Sequence, residues 1–298
     1  MATLIILAAG LGSRFGGNKQ LAEFGKRKLT LMEYNILNAV AAGFSRVIFV
    51  IRPELEALFN EQVLPRLPSE ISYKLVYQRL DILPSGYKIP AERIKPLGTA
   101  HALWCCYKEV NSSFAVINAD DYYGAEAFTL LVKQSIKAPN SHLMVAYYIQ
   151  NTLSDFGGVN RGLCQLTPEN RLTGIEECED ISITQGVITG TINNQEERVI
   201  IKHDSLISMN CWFFTPDIFT YLAKEIKLIL KKSNESNSNA LADQANLKRE
   251  CYLPDVIMKQ IQQQNKQVMV LSTKNQWFGL TYSEDSALVN EKISIIFS

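Results

Sequence analysis

An excess of charge of either sign is what this chain most plainly lacks. Thirty lysines and arginines stand against 30 aspartates and glutamates in 298 residues, a formal net charge of zero. With no global basic field there is no electrostatic footprint for nucleic acid, and an anionic ligand has to be held by local donors. Histidine is scarce: His101, His142 and His203 are the three present, and they make no metal-ligand pattern. Six cysteines occur without a single C-x-x-C spacing, which argues against zinc ribbons and thioredoxin-like redox sites. It argues instead for reduced, mostly buried thiols in a cytoplasmic protein. No apolar run approaches the ~18 residues of a membrane helix. The N-terminus lacks a basic n-region, so a signal peptide is not expected either. No internal repeat emerges. The composition, 47% hydrophobic and 20% charged, suits a well-buried core in one large α/β domain or two small ones.

The stretch Leu4 to Leu21, LIILAAGLGSRFGGNKQL, organises the rest. Leu4 to Ala9 reads as a buried parallel-type strand. It ends in Gly10, Gly12, Gly16 and Gly17, with Arg14 and Lys19 among them. Glycines just beyond a strand let backbone N–H groups approach a ligand closely. Two cations in the same loop point to an anion, most simply phosphate; the alternative is an ordinary glycine-rich turn with solvated charges. The dinucleotide fingerprint fails because Phe15 stands at the third glycine position, and the P-loop pattern fails because Asn18 separates Gly17 from Lys19.

Thr30-Leu-Met-Glu33 is a capping box opening a helix to about Ala42, with Gly43 as its stop. Arg46 to Arg52 reads as a strand, Glu54 to Val63 as a helix ended by Pro65 and Pro68, and Tyr73 to Gln78 as a third strand. This alternation argues for a doubly wound, largely parallel sheet, with ligands beyond the C-terminal strand ends near the switch in strand order. Asp81 to Leu97 is an irregular loop of lid or rim type. Gly98-Thr99 begin a helix to about Val110, whose N-terminus offers free N–H groups. Phe114 to Ala119 is a fourth strand running into Asp120-Asp121. These carboxylates are placed either for a divalent ion or as caps of a helix from about Ala125 to Ala138.

From His142 the texture becomes β-rich. Strands are expected at His142 to Ile149 and Gly158 to Leu166, a hairpin at Gly186 to Ile192 and Glu197 to His203 around Asn193-Asn194, and a long strand at Ser205 to Thr215. Helices at Asp217 to Lys231 and Tyr252 to Gln264, a strand at Gln267 to Ser272 and a last helix to about Ile296 complete the chain. Lys232 to Glu250, rich in Ser, Asn and Ala, reads as a flexible surface insertion.

Three motifs in order, Leu7 to Lys19, Gly98 to Ala102 and Asn118 to Asp120, resemble those of the sugar-phosphate nucleotidylyltransferases (NDP-sugar pyrophosphorylases) over nearly the whole chain. The resemblance implies an α/β fold, Rossmann-like, with a doubly wound, mostly parallel central sheet and a β-rich sugar-binding portion. Residues 1–298 would form one domain, 1–140 binding nucleotide and 141–298 the sugar phosphate. It implies transfer of a nucleoside monophosphate from a nucleoside triphosphate to a sugar 1-phosphate, releasing pyrophosphate, with Mg²⁺ as cofactor. Arg14, Lys19 and Asp120 would be catalytic, Asp120 also holding the metal. Ala9, Gly10, Gly12, Ser13, Gln78, Gly98 and Thr99 would bind the nucleotide, a role that for Gln78 competes with that of a solvated strand end. Gly158, Glu177 and Asn210 would bind the sugar phosphate. Neither nucleic acid nor membrane is implied as a partner, and there is room for a homo-oligomer.

The chain departs from the family pattern in three places. Gly-Gly-Asn precedes Lys19 in place of a longer, proline-bearing spacer. In Glu176-Glu177-Cys178-Glu179, Cys178 stands where an E-E-K-P segment has lysine. Gly279 stands where W-x-D-x-G-T has a second metal-binding aspartate; either Asp120 holds the ion with phosphate and water, or Asp121 or Asp285 substitutes. These departures keep a nucleotide-sugar-binding regulator without turnover as an alternative. A metal-dependent glycosyltransferase of similar sheet topology is another, though the loop from Gly12 to Lys19 suits a triphosphate.

Overall fold

In the computed structural model, residues 2–10, 19–90, 92–192, 197–234, 248–264, 266–280 and 285–298 are described, with backbone alone at 19, 232–234 and 264. The first half of the chain gives β1 (Ala2–Leu7), β2 (Glu23–Phe24), β3 (Leu29–Thr30), α1 (Leu31–Ala41), β4 (Phe44–Ile51), α2 (Glu56–Gln62), β5 (Ser72–Tyr77), α3 (Thr99–Trp104), β6 (Phe114–Asn118), β7 (Asp121–Tyr122) and α4 (Ala125–Lys137). The second half gives β8 (His142–Tyr148), β9 (Val159–Leu166), β10 (Leu172–Thr184), β11 (Val187–Ile192), β12 (Arg198–Ile201), β13 (Leu206–Phe214), α5 (Ile218–Asn234), α6 (Leu253–Gln264), β14 (Val268–Thr273), β15 (Phe278–Gly279) and α7 (Asp285–Ile296).

β1 is apolar on every residue from Leu4 to Leu7 because both of its faces are covered. Leu4 and Ile6 pack on one side with Met32 and Ile36 of α1, Phe59 of α2 and Phe128 of α4. Ile5 packs on the other side with Leu103 of α3, Leu222 and Ile226 of α5 and Ile257 of α6. The same alternation runs through β4 and β6, so helices lie on both faces of one sheet. Burying each such side chain contributes roughly 1.5–3 kcal/mol.

β5, β4, β1 and β6 are neighbours in that order and all parallel. β4 and β5 lie to one side of β1 and β6 to the other, so the winding reverses at β1. The crevice at the C-terminal ends of β1 and β6 is therefore the switch point of the sheet. Beyond β6 the sheet continues through antiparallel β13 into β9, β10, β11 and β12, while β8 and β14 branch from β13.

The capping box forms as read: Thr30 Oγ1 accepts from Glu33 N–H at 3.2 Å, and the Glu33 carboxylate accepts from Thr30 N–H at 2.7 Å. Other elements differ from expectation. α3 stops at Trp104, not Val110, because the chain tightens into successive i→i+3 turns: Cys106 N–H donates to Leu103 O, Tyr107 to Trp104 and Glu109 to Cys106. β10 is not foreseen in the sequence, since its acidic run has no clear period-2 apolar pattern; it becomes a strand through long-range pairing with β9 and β11. His203 sits in the turn after β12 rather than on the strand. α5 continues to Asn234, past the expected start of the insertion. The turn of the β11–β12 hairpin, with Asn193-Asn194, lies outside the described residues. Among the described residues no helix is long and apolar enough to cross a membrane.

Candidate active site

A cleft of about 380 Å³ opens at the switch point. β1 delivers Leu7, Ala9 and Gly10 to it, the end of β5 delivers Gln78, and β6 delivers Asn118 and Asp120. Gly98, Thr99 and Ala102 of α3 form another wall. Six residues singled out from sequence, Ala9, Gly10, Gln78, Gly98, Thr99 and Asp120, thus meet in one place. Gly12, Ser13 and Arg14 lie outside the described residues, and for Lys19 only the backbone, opening a 3₁₀ turn, is described.

Gln78 is a working part of this wall: its Nε2 donates to Gly98 O at 3.0 Å and lies 3.4 Å from His101 Nδ1. His101 is fully buried, and burial holds its pKa below the ordinary value. Its role is structural, with Nε2 2.8 Å from Ile82 O. Gly98 has φ +89°, a conformation that favours glycine. The segment after the expected insertion is stitched to it. Cys251 N–H donates to Leu97 O at 2.7 Å, Ala100 N–H to Cys251 O at 3.0 Å, and Leu253 N–H to Thr99 Oγ1 at 2.9 Å. The expectation of free N–H groups at the start of α3 is corrected accordingly, since that of Ala100 is used within the protein.

Lys95, Pro96 and Glu250 also line the cleft, and sequence reasoning did not find them. Lys95 and Glu250 form an ion pair. The buried Arg93 guanidinium fixes the loop that carries Lys95 by donating to Lys95 O (2.9 Å), Pro96 O (3.1 Å) and Arg249 O (2.6 Å). The only signal was positional: Lys95-Pro96 directly precede the Gly98 motif. Residues 249–250, read as the end of a flexible insertion, are anchored here instead.

Asp120 and Asp121 have different surroundings. Asp120 faces the cleft. The Asp121 carboxylate is buried and accepts from Asn118 Nδ2 at 2.9 Å, with the Tyr123 hydroxyl 3.1 Å away. Neither caps α4, whose N-cap is Gly124. Asn35 of α1 holds this turn from below, donating to Asp121 O at 2.6 Å and accepting from Tyr123 N–H at 3.0 Å. Asp285 accepts from Ser154 Oγ at 3.0 Å and is not among the residues lining the cleft. Among the described residues no cluster of three or more metal-ligating side chains exists. Of these carboxylates only that of Asp120 lines the cleft, and a single carboxylate would suit Mg²⁺ shared with substrate phosphates.

The sugar-side residues are more dispersed. β13 bulges between Ser208 and Cys211, just before it pairs with β6. Asn210 occupies this bulge with φ +59°, its Oδ1 accepting from Trp212 Nε1 at 3.0 Å. The Tyr123 hydroxyl ties the bulge to the end of β6, lying 2.9 Å from Met209 O and accepting from Asn118 N–H at 3.1 Å. Asn210 itself is not among the residues lining the cleft. Glu177 sits further along the sheet, opposite Gly162, which is itself opposite Ser208. Partial desolvation and the Glu179 carboxylate raise its pKa. Gly158 does not line the cleft; it abuts Asp180 so closely that a Cβ would stand 2.0 Å from Oδ1. Cys178 is buried, and burial raises its thiol pKa.

The family model for nucleotidyl transferases matches residues 3–278. Among solved structures the chain is similar to the inositol-1-phosphate CTP transferase from T. maritima, with TM-score 0.62 and 15% identity over 99% of this chain and 96% of that one. It is also similar to a UDP-glucose pyrophosphorylase complexed with UDP-glucose (TM-score 0.54, 15% identity, 100% and 98% covered). A third is the UDP-glucose pyrophosphorylase from Acinetobacter baumanii (TM-score 0.53, 16% identity, 100% and 93% covered). At these identities the likeness is one of fold. No curated protein matches the sequence. With the family match running through every strand that forms the cleft, this chain belongs to the nucleotidyl transferase family.

Proposed function

We propose that this nucleotidyltransferase moves a nucleoside monophosphate from a nucleoside triphosphate to a sugar 1-phosphate. The observation that carries the reading is the meeting of Gly10, Gln78, Gly98, Thr99 and Asp120 in the one switch-point cleft. An oxygen of the sugar phosphate attacks the α-phosphorus, the bond to the β-phosphate oxygen breaks, and pyrophosphate leaves. Such chemistry depends on positioning and on neutralising charge more than on proton transfer. Gln78 and the backbone around Gly98 and Thr99 orient the base, and the glycine-rich segment after β1 receives the phosphates. Arg14 clamps the β- and γ-phosphates in a two-pronged geometry that lysine cannot reproduce, while Lys19 places a point charge near the α-phosphate. When bound, Mg²⁺ would neutralise charge on the phosphates, held from the protein side by Asp120. Gly12 and Ser13 contribute to phosphate binding, and Gly158, Glu177 and Asn210 to the sugar side. The six free thiols support a cytoplasmic setting.

The test is pyrophosphate release with Mg²⁺ across the common nucleoside triphosphates and a panel of sugar 1-phosphates. The expected result is release that requires both substrates. Absence of release with every pair overturns the reading and leaves a binding protein.

A further inference from the structure

Away from the cleft, α3 and α5 enclose a second groove of about 680 Å³, within the range of roughly 300–1,000 Å³ typical of small-molecule sites. Aromatic rings make up one side. Trp104 and Tyr107 stack with centroids 4.4 Å and planes 5° apart, and Tyr87 joins them from the loop before α3. The other side is a face of α5. Lys224, Lys227 and Lys231, spaced by three and four residues, all line the groove. Leu228, between them, is left 43% exposed.

A surface helix usually intersperses such lysines with carboxylates that neutralise them. Here none of the three forms an ion pair among the described residues. Lys224 Nζ donates to Gln263 Oε1 at 3.4 Å, and Lys227 Nζ lies 5.8 Å from the Tyr87 ring centre. In a chain of zero net charge the three make a local positive field beside exposed aromatic surface. The second, independent observation is Trp104: it is 7% exposed, and its Nε1–H has no acceptor among the described residues. A buried donor left without a partner is costly.

We propose that this groove binds a planar aromatic anion of the nucleotide class, its ring packed against Tyr87 and Tyr107 and its phosphate held by Lys227 and Lys231. Aromatic faces accept any base, and ammonium groups bind phosphate as point charges. The site is distinct from the cleft: the two share no lining residue, with Trp104 at the end of α3 facing the groove and Gly98 and Thr99 at its start lining the cleft.

The test is calorimetric titration of the full chain with each of the four nucleoside monophosphates at low salt. The wild type should show one more site than K227E/K231E for at least one probe. The charge reversal should weaken that site at least about tenfold, the scale of one lost charge-assisted contact. Tyr107→Ala should weaken the same site, and inorganic phosphate should fill it poorly. All these residues lie outside the cleft, so pyrophosphate release by both variants should keep its wild-type turnover. Equal stoichiometry in the wild type and K227E/K231E for all four probes overturns the proposal. So does a second site that inorganic phosphate fills as well as the nucleotides do. The titration reads the groove whether or not the cleft proves active.

Discussion

The Asp121 carboxylate occupies the space into which a side chain at Gly279 would project. A Cβ there would stand 2.5 Å from Asp121 Oδ1 and 3.1 Å from the Trp277 ring. The two residues face each other across the β7–β15 pair, and Asn118 Nδ2 fixes the carboxylate at 2.9 Å. Gly279→Asp should therefore lower stability by about 1–3 kcal/mol, the usual cost of overpacking, and should not tighten Mg²⁺ binding. Urea denaturation and metal titration check this; a variant both stable and tighter for Mg²⁺ would contradict it.

Gly98→Ala should cost about 1–3 kcal/mol for a side chain held at positive φ. It would also place a Cβ 2.6 Å from Cys251 O. The two walls of the cleft must then separate, so KM for the triphosphate should rise more than kcat falls. Steady-state kinetics separates the two effects.

Arg93→Leu removes the donor shared by the carbonyls of Lys95, Pro96 and Arg249. These carbonyls are only partly buried and water can replace part of what they lose, so the cost is about 1–3 kcal/mol in all, and the loop bearing Lys95 should loosen. The expected readout is a raised KM for the triphosphate together with faster hydrogen exchange in residues 93–97.

Asp120→Ala and Arg14→Ala should each reduce pyrophosphate release by about 10²–10³, the loss typical of one preorganised charge-stabilising group. Circular dichroism should stay unchanged for Asp120→Ala. Near-normal turnover in that variant would remove the metal role from Asp120.

Burial holds the pKa of His142 down to about 4, with Lys266 adding to the shift and Asp217 opposing it; burial lowers that of His101 as well. Both are neutral when folded and take up protons more readily once unfolded, near pH 6.5. The unfolded chain thus binds more protons below that pH. Stability should be full above about pH 6.5 and fall as the pH drops toward about 4. Urea midpoints at pH 7, 5.5 and 4.5 should decline in that order, and His142→Gln should flatten the decline.

The local signals held where a few neighbouring residues decide the outcome. The apolar run after Thr3 is a strand buried on both faces, Thr30 and Glu33 cap α1 reciprocally, and Asp120 follows the end of a central strand. The misreadings fall where distant pairing decides. β10 is a strand because β9 and β11 flank it, and α3 is short because the chain after it tightens into i→i+3 turns.

What the sequence by itself determined is the doubly wound core and the position of Gly10, Gln78, Gly98 and Asp120 at strand ends and turns, since periodicity and turn chemistry act over a few residues. Only the tertiary structure decided that Arg93 would meet Arg249, 156 positions away, that Glu250 would join the cleft, and that Asp121 would fill the space beside Gly279. Those relationships depend on which segments the packed sheet brings together, and no short-range pattern encodes that.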